Sequence, residues 1–259
     1  MDESLMDDNR LRRLASREKI PLGTLEKDYA ITNLLSIISA FPKLDSMVFK
    51  GGTALKKIHF KNFRFSEDLD FTCMQDVSEE FVDFINSKMK ALDVKFTEIT
   101  DDERKPNSFK FKVKYAQFNG VTASVRVDLS LREDVMLDAI TKPVLHFYDT
   151  IPNVFEIPTM DLEEIMAEKI RAIVYTRHPR HLHDVWYLDS NGIKLNPKMI
   201  RDKIKKAYGA EFDLQKFKDG ISEKESDWKN DLQPLLPDSP PSFESVSKRV
   251  LEIVTNAMK

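Results

Sequence analysis

The feature that most constrains the fold is a pair of alternating apolar runs joined by Asn119-Gly120. Apolar residues alternate with lysines in the first run, Ser108 to Phe118, and with polar residues in the second, Val121 to Leu131. A period of two predicts strands with one buried face, and Asn-Gly between two such runs is typical of a tight β-hairpin. The chain is therefore expected to build a β-sheet rather than to fold from helices alone.

The elements around this hairpin divide the chain into two halves. Apolar spacing in the first half predicts helices and short strands, whereas the region from Asp161 onward predicts helices alone. We therefore predict an α+β fold with an N-terminal domain over 1–158 and a helical domain over 159–259. The other strands are expected at Met47 to Phe49, Asp68 to Cys73 and Val94 to Thr100, and the helices at Arg10 to Glu18, Thr24 to Ala40, Thr53 to Phe60, Glu79 to Leu92, Leu162 to Arg177, His181 to Leu188, Pro197 to Tyr208, Ile221 to Leu232 and Phe243 to Met258.

Composition excludes several classes of protein. Hydrophobic residues make up 41% of the chain, enough for a packed core, and the net charge of -3 argues against a uniformly basic nucleic-acid packager. The longest uncharged run, Tyr29 to Pro42, is too short to span a bilayer, and the N-terminus has no apolar export signal. A single cysteine, Cys73, cannot form an internal disulfide. These features predict a cytoplasmic protein without a membrane anchor.

Three aspartates are candidates for a metal site. Asp68 and Asp70 are two apart on a predicted strand, so their carboxylates project from one face. Asp128 lies on the polar face of another predicted strand, and the three would converge if the two strands were neighbours. Carboxylates that hold Mg²⁺ beside substrate phosphates are typical of phosphoryl and nucleotidyl transfer. The alternative is a solvated strand end, with Asp128 in a surface ion pair.

Gly51 and Gly52 stand between a predicted strand and a predicted helix. Glycine lets the backbone approach an anion closely, and a helix N-terminus offers free N–H groups to it. The pair lacks the remainder of a Walker motif, so by itself it is also compatible with a simple tight turn. Its position shortly before Ser66, Asp68 and Asp70 favours a phosphate-binding turn beside the acids.

These segments resemble one family along much of the chain. The sequence F-K-G-G-T-A-L-K-K-I-H-F, followed by F-R-F-S-E-D-L-D-F, resembles the first motif of the AbiEii/AbiGii-type nucleotidyltransferases of the DNA polymerase beta-like superfamily. The resemblance includes L-E-K-D-Y-A-I-T-N-L-L, the R-V-D-L strand and the segment from E-K-I-R to D-V-W-Y-L, and it covers most of residues 22–190. It implies a polymerase-beta-like domain, a mixed sheet with flanking helices, followed by a C-terminal helical bundle.

The resemblance also assigns roles to individual residues. It implies that Gly51, Gly52 and Thr53 face the triphosphate of an NTP substrate and that Ser66 belongs to the substrate cluster. Asp68, Asp70 and Asp128 would be catalytic ligands of Mg²⁺, and Lys169 and Asp184 would contact nucleotide and complete the site. Members are commonly toxins of toxin-antitoxin or phage-defence pairs, so a cognate antitoxin is an expected partner.

Lys169 can also be assessed from its own helix. It lies within the apolar stripe formed by Ile165, Met166, Ile170 and Ile173. A buried lysine is costly unless it is paired with an anion. Asp184 could pair with the ammonium group as a structural partner, and a nucleotide phosphate could pair with it during the reaction. The two partners could also alternate, with and without substrate.

We therefore expect a Mg²⁺-dependent nucleotidyltransferase that transfers NMP from NTP to an acceptor hydroxyl. The resemblance implies RNA as the acceptor, with the tRNA 3′ end as the leading candidate. One alternative is modification of a small molecule or protein, and another is a nucleotide-binding module without turnover. The row of Lys110, Lys112 and Lys114 could bind along an RNA backbone or form the solvent-exposed face of an edge hairpin.

Overall fold

The structure, a computed structural model, describes residues 6–131, 134–152 and 154–259. Residues 1–5, 132, 133 and 153 of the predicted first domain lie outside the described residues. The chain divides into two compact units. The second unit consists of Met136–Asp138 and Met160–Lys259, and the first contains the remaining described residues.

The first unit is built on a seven-stranded sheet with the order β3-β4-β5-β2-β1-β7-β6. Its strands are β1 (Met47–Lys50), β2 (Asp68–Cys73), β3 (Phe96–Lys105), β4 (Ser108–Ala116), β5 (Thr122–Ser130), β6 (Ile140–Pro143) and β7 (Glu156–Thr159), and its helices are α1 (Asp8–Glu18), α2 (Leu22–Ile38), α3 (Gly51–Ala54) and α4 (Ser78–Lys88). The β2–β5 and β1–β7 pairs are parallel and the other neighbours are antiparallel. The mixed sheet with flanking helices confirms the predicted α+β class.

The hairpin predicted from Asn119-Gly120 is confirmed. Strands β4 and β5 pair antiparallel from Ala116 opposite Thr122 to Ser108 opposite Ser130. The apolar residues of both strands are buried on one face, as the alternation predicts. Helix α4 covers this face, where the Phe81 ring lies 6.2 Å from the rings of both Phe71 and Phe111. The polar residues of the hairpin therefore occupy the opposite face of the sheet.

Four elements of the first unit differ clearly from the prediction. Strand β3 ends at Lys105, beyond the predicted end at Thr100, because its charged residues pair with the lysines of β4. Strands β6 and β7 were not predicted, and Pro158 lies inside β7. The helix expected from Thr53 to Phe60 begins earlier, as the short α3, and continues as a π-helical turn at Leu55–His59.

A buried polar network connects this π-helical turn to α2. Lys57 Nζ donates to Asp28 Oδ2 at 2.6 Å and to Thr32 Oγ1 at 2.9 Å, while the Tyr148 hydroxyl donates to Asp28 Oδ2 at 2.7 Å. The side chains of Lys57 and Asp28 are 3% and 2% exposed. Because the π-helical turn follows α3 directly, the network holds the Gly51-Gly52 turn against a largely buried helix.

Replacing Lys57 by methionine is expected to lower the free energy of unfolding by about 3–5 kcal/mol, because Asp28 would keep a buried charge without its ammonium partner. Urea denaturation followed by circular dichroism measures this change. The matched control is Lys43→Met, which breaks a solvent-exposed pair with Glu80 and is expected to cost about 0–1 kcal/mol. Equal effects of the two substitutions would show that the buried network does not stabilise the fold.

The second unit is helical in the described residues. Its helices are α5 (Leu162–Tyr175), α6 (Arg180–Ser190), α7 (Pro197–Tyr208), α8 (Leu214–Ser222), α9 (Trp228–Leu232) and α10 (Phe243–Met258). One helix predicted at Ile221 to Leu232 is instead divided between α8 and α9. The buried Lys224 between them donates from Nζ to the carbonyls of Ile173, Thr176 and Gly220, which ties the turn to the end of α5.

Glu164 explains why Met136–Asp138 belongs to the second unit. Its buried carboxylate accepts from the backbone N–H groups of Met136 and Leu137 at 2.9–3.0 Å and from Lys203 Nζ at 2.5 Å. The short segment is thus fixed to α5 by hydrogen bonds to a charged group, which are stronger than neutral ones. No helix in the described part of the chain has the length and apolar character needed to cross a membrane.

Candidate active site

The parallel pairing of β2 with β5 brings two of the predicted acids side by side. Asp70 lies directly opposite Asp128, and Asp68 lies opposite Arg126. Residues opposite each other on neighbouring strands project from the same face of a sheet, and strands are about 4.8 Å apart. The expectation that the Asp128 strand lies beside the Asp68/Asp70 strand is therefore confirmed. All three aspartates are partly exposed on the face opposite α4.

Lysines flank these acids on the neighbouring strands. Lys110 of β4 lies opposite Asp128, with its Nζ 3.6 Å from Asp128 Oδ2, and Ser108 Oγ lies 3.5 Å from Asp128 Oδ1. On β1, the buried Lys50 lies opposite Asp70. Positive charge on both sides reduces the repulsion between adjacent carboxylates. Lys50 was not predicted as a site residue, although its position directly before Gly51 indicated that it lies near the glycine turn.

The donor set fits a hard divalent cation that also binds substrate. Carboxylate oxygens are the ligands that Mg²⁺ prefers, and such sites often use one or two carboxylates with substrate phosphates. Among the described residues, no group of three or more His, Cys, Asp or Glu side chains is arranged to hold a metal by itself. Asp70 and Asp128, which lie side by side in register, offer two carboxylates of this kind. The assignment of Asp68, Asp70 and Asp128 as ligands stays a prediction.

The glycine turn lies directly against the Asp70 carboxylate. Gly51 has a φ of +79°, and a Cβ added there would lie 2.2 Å from Asp70 Oδ2. Carbon and oxygen atoms that are not bonded do not approach this closely, so a side chain at position 51 would displace the carboxylate. The turn therefore needs glycine for both its backbone conformation and its contact with the acid.

The next two residues connect the turn to Ser66 and Asp68. A Cβ added at Gly52 would lie 2.8 Å from Ser66 Oγ, and the Thr53 hydroxyl donates to the backbone carbonyl of Asp68. The structure thus brings together six of the residues predicted from sequence. They are Gly51, Gly52, Thr53, Ser66, Asp68 and Asp70. A concave backbone beside carboxylates can accept a phosphate chain together with its cation.

Arg64 is a further member of this cluster that the sequence analysis did not assign. It is 1% exposed, and its Nη2 lies 2.9 Å from the position that a Cβ on Gly52 would occupy. Its Nη1 donates to the Phe65 carbonyl at 3.0 Å. The guanidinium places a permanent positive charge beneath the glycine turn. An arginine between Phe63 and Phe65 was the available signal, because charged residues are rare in apolar runs.

Lys169 and Asp184 lie in the second unit and pair with each other. Lys169 Nζ is 2.8 Å from Asp184 Oδ2, and the two residues are 6% and 0% exposed. The buried lysine predicted on the apolar stripe of α5 is thus balanced by the aspartate proposed as its structural partner. Contact of either residue with a nucleotide stays a prediction.

The lysine row on β4 is neutralised by acids across the strand pair. The Nζ atoms of Lys110, Lys112 and Lys114 lie 3.1, 2.5 and 2.7 Å from carboxylates of β3. Hydrogen bonds from Lys105 and Lys110 lower the pKa of Glu103 to about 2, so this acid stays ionised. The arrangement favours the interpretation of the row as a solvated hairpin face over that of an RNA-binding track.

Comparisons with known proteins show the family and the fold of the chain. Residues 33–250 match a family model described as the nucleotidyl transferase AbiEii toxin of type IV toxin-antitoxin systems. MenT4, a nucleotidyltransferase toxin from Mycobacterium tuberculosis H37Rv, has a similar structure, with a TM-score of 0.64 and 18% identity over 93% of this chain and 87% of that one. JHP933 from Helicobacter pylori has a TM-score of 0.61 and 17% identity over 92% and 93% of the two chains. No curated protein matches the chain.

Proposed function

The chain belongs to the AbiEii family of nucleotidyltransferase toxins of type IV toxin-antitoxin systems, and from this premise we propose how its residues carry out the transfer. The acceptor hydroxyl oxygen attacks the α-phosphorus of an NTP, the bond from that phosphorus to the pyrophosphate oxygen breaks, and pyrophosphate leaves. The observation that carries this proposal is the in-register pair of Asp70 and Asp128 beside the Gly51-Gly52 turn.

Each residue of the cluster has a proposed task. Asp68 and Asp70 would hold the divalent cation, for which we propose Mg²⁺, and its chemistry there would be to supply positive charge to the phosphate oxygens. Asp128 lies beside the acceptor hydroxyl and takes its proton. The backbone at Gly51 and Gly52, which lies close to Asp70 and Ser66, is proposed to receive the triphosphate. Thr53 and Ser66 are proposed to fix this turn and to contact the substrate.

Lys169 and Asp184 are proposed to serve the same reaction from the second unit. The Lys169 ammonium would neutralise phosphate charge in the transition state, and the Asp184 carboxylate would hold it in the absence of nucleotide. We also propose that 1–158 form the nucleotidyltransferase domain and 159–259 the helical domain. The assignment of these functions to the two domains stays a prediction.

The proposed acceptor is RNA, with the tRNA 3′ end as the first candidate, and the proposed site of action is the cytoplasm, where NTP and tRNA are both abundant. A cognate antitoxin is the proposed partner that limits growth arrest, since the family consists of toxins from paired systems. A protein or small-molecule acceptor is the alternative that keeps the same chemistry. A module that binds nucleotide without turnover would keep the site but release no pyrophosphate.

A labelling experiment separates these functions. The full chain is incubated with each α-³²P-labelled NTP and Mg²⁺, with either total RNA or cell protein as the acceptor. We expect label in the RNA fraction, in tRNA-sized bands, with one pyrophosphate released per nucleotide transferred and no transfer in EDTA. Label in protein would establish the alternative acceptor. Nucleotide binding without pyrophosphate release from any mixture would contradict the enzymatic proposal.

A further inference from the structure

A cavity of about 610 Å³ lies in the first unit, on the other side of the sheet from the aspartates. Tyr115 of β4 and Tyr29 of α2 line it. Tyr115 lies five positions after Lys110 on β4, and because this offset is odd, their side chains project from opposite faces. Because Lys110 shares a face with Asp128, the cavity is separate from the candidate active site. Its volume is typical of a site for a small molecule.

The Tyr115 hydroxyl is an unsatisfied polar group at this cavity. The residue is 1% exposed, and among the described residues its buried hydroxyl oxygen has no hydrogen-bond partner. Burial and the nearby charges of Glu26 and Glu67 raise the pKa of Tyr115, so the phenol stays neutral. A buried hydroxyl without a partner destabilises the fold, and a ligand that hydrogen-bonds to it would remove this cost.

The charged side chains at the cavity indicate whether a ligand there would be positively or negatively charged. Four carboxylates and one ammonium group line it, namely Asp7, Asp8, Glu26, Asp93 and Lys95. Glu26 is 7% exposed, and its carboxylate accepts from the Phe118 backbone N–H at 2.6 Å and from Gln117 Nε2 at 3.2 Å. Each carboxylate oxygen can accept a further hydrogen bond. Arg12 pairs with Asp8 at 2.8 Å, and the three remaining carboxylates outnumber the Lys95 ammonium, so the net charge at the cavity favours a cation.

The remaining wall is apolar and aromatic. Met6, Leu92 and Val94 line it together with the rings of Tyr29 and Phe118, and the Phe118 side chain is partly open to solvent. Aromatic faces attract ammonium groups, and apolar walls favour a ligand with a hydrocarbon body. An inorganic cation would leave this wall in contact with water, whereas an organic amine would cover it.

We propose that this cavity is a second ligand site, which takes a small organic cation with an apolar body and binds its ammonium group through the Tyr115 hydroxyl and the Glu26 carboxylate. The ammonium group donates to the hydroxyl oxygen, the hydroxyl keeps its own proton, and the hydrocarbon body lies against Tyr29 and Phe118. This proposal does not depend on the nucleotidyltransferase reaction, since none of these residues belongs to the candidate active site.

The test compares 4-phenylbutylamine with its uncharged analogue 4-phenylbutanol by isothermal titration calorimetry on the full chain. We expect the amine to saturate one site per chain and to bind at least about tenfold more tightly than the alcohol. Glu26→Gln keeps an oxygen that can accept from Phe118, and it is expected to reduce amine binding about tenfold without changing that of the alcohol. Tyr115→Phe is expected to weaken the amine about threefold while leaving the melting temperature equal or higher.

Glu98→Gln is the matched control, because Glu98 pairs with Lys114 on the opposite face and its loss should leave amine binding unchanged. Asp93→Asn provides a second charge variant at the cavity if Glu26→Gln unfolds, and it should weaken the amine as well. Equal binding of amine and alcohol, absence of saturable amine binding, or unchanged binding in all the cavity variants would overturn the proposal.

Discussion

Asp70→Asn is expected to reduce nucleotide transfer about 10³-fold, or by about 4 kcal/mol of transition-state stabilisation. The substitution keeps the size of the side chain, so the contact with Gly51 remains sterically acceptable. It removes the negative charge that is proposed to hold the cation beside Asp128. Initial rates of label transfer at saturating NTP measure the loss, and circular dichroism establishes that the variant is folded.

The control for this variant is Asp102→Asn on β3. It removes an acid that pairs with Lys112 and Arg126 and has no proposed role in the reaction, so transfer should stay within about twofold of the wild type. If Asp70→Asn retains wild-type activity, the proposed metal site is wrong, even if the family assignment stands. If both variants lose activity equally, the charge of the whole face matters rather than the position of one carboxylate.

Gly51→Ala is expected to lower transfer at least about 10²-fold and to destabilise the first unit. An alanine at a φ of +79° costs roughly 1–2 kcal/mol in backbone strain. In addition, its Cβ would overlap Asp70 Oδ2, so either the turn or the carboxylate must move. A misplacement of about 1 Å near reacting atoms is enough for a loss of this size. Transfer rates per folded molecule and urea denaturation measure the two effects separately.

Gly192→Ala is a close control, because Gly192 has a φ of +81° and no heavy atom of the described residues lies within 4 Å of a Cβ built there. It should lose a similar 1–2 kcal/mol from backbone strain and keep its transfer rate. The difference in activity between the two variants isolates the contact with Asp70. Equal activity of both variants would mean that the turn at Gly51 does not position the acid.

The sequence was most informative where local pattern and long-range pairing agree. Alternation and Asn119-Gly120 predict the β4–β5 hairpin, and the same alternation places Asp128 on the polar face. The apolar stripe of α5 likewise predicts the burial of Lys169. In these cases each residue is buried or exposed as the periodicity of its strand or helix predicts, and tertiary contacts do not change this pattern.

Other features depend on partners that are remote in the chain. Strand β7 is four residues long and contains Pro158, so its own composition does not indicate a strand. It is held in the sheet by its pairing with β1 and β6. The charged end of β3 forms a strand because the lysines of β4 lie opposite. The position of Arg64 between two phenylalanines marks it as unusual, but no local pattern indicates that it lies beside Gly52. A single sequence carries no direct record of such pairings.

The order of the strands also has a consequence for synthesis. Asp70 leaves the ribosome with β2, but its neighbour Asp128 follows only after α4, β3 and β4 have been made. Pairing between strands so distant in sequence forms slowly, because the intervening chain must first be ordered. On the proposed assignment, a nascent polypeptide that ends before β5 has no active centre, and transfer becomes possible only when β5 has joined the sheet.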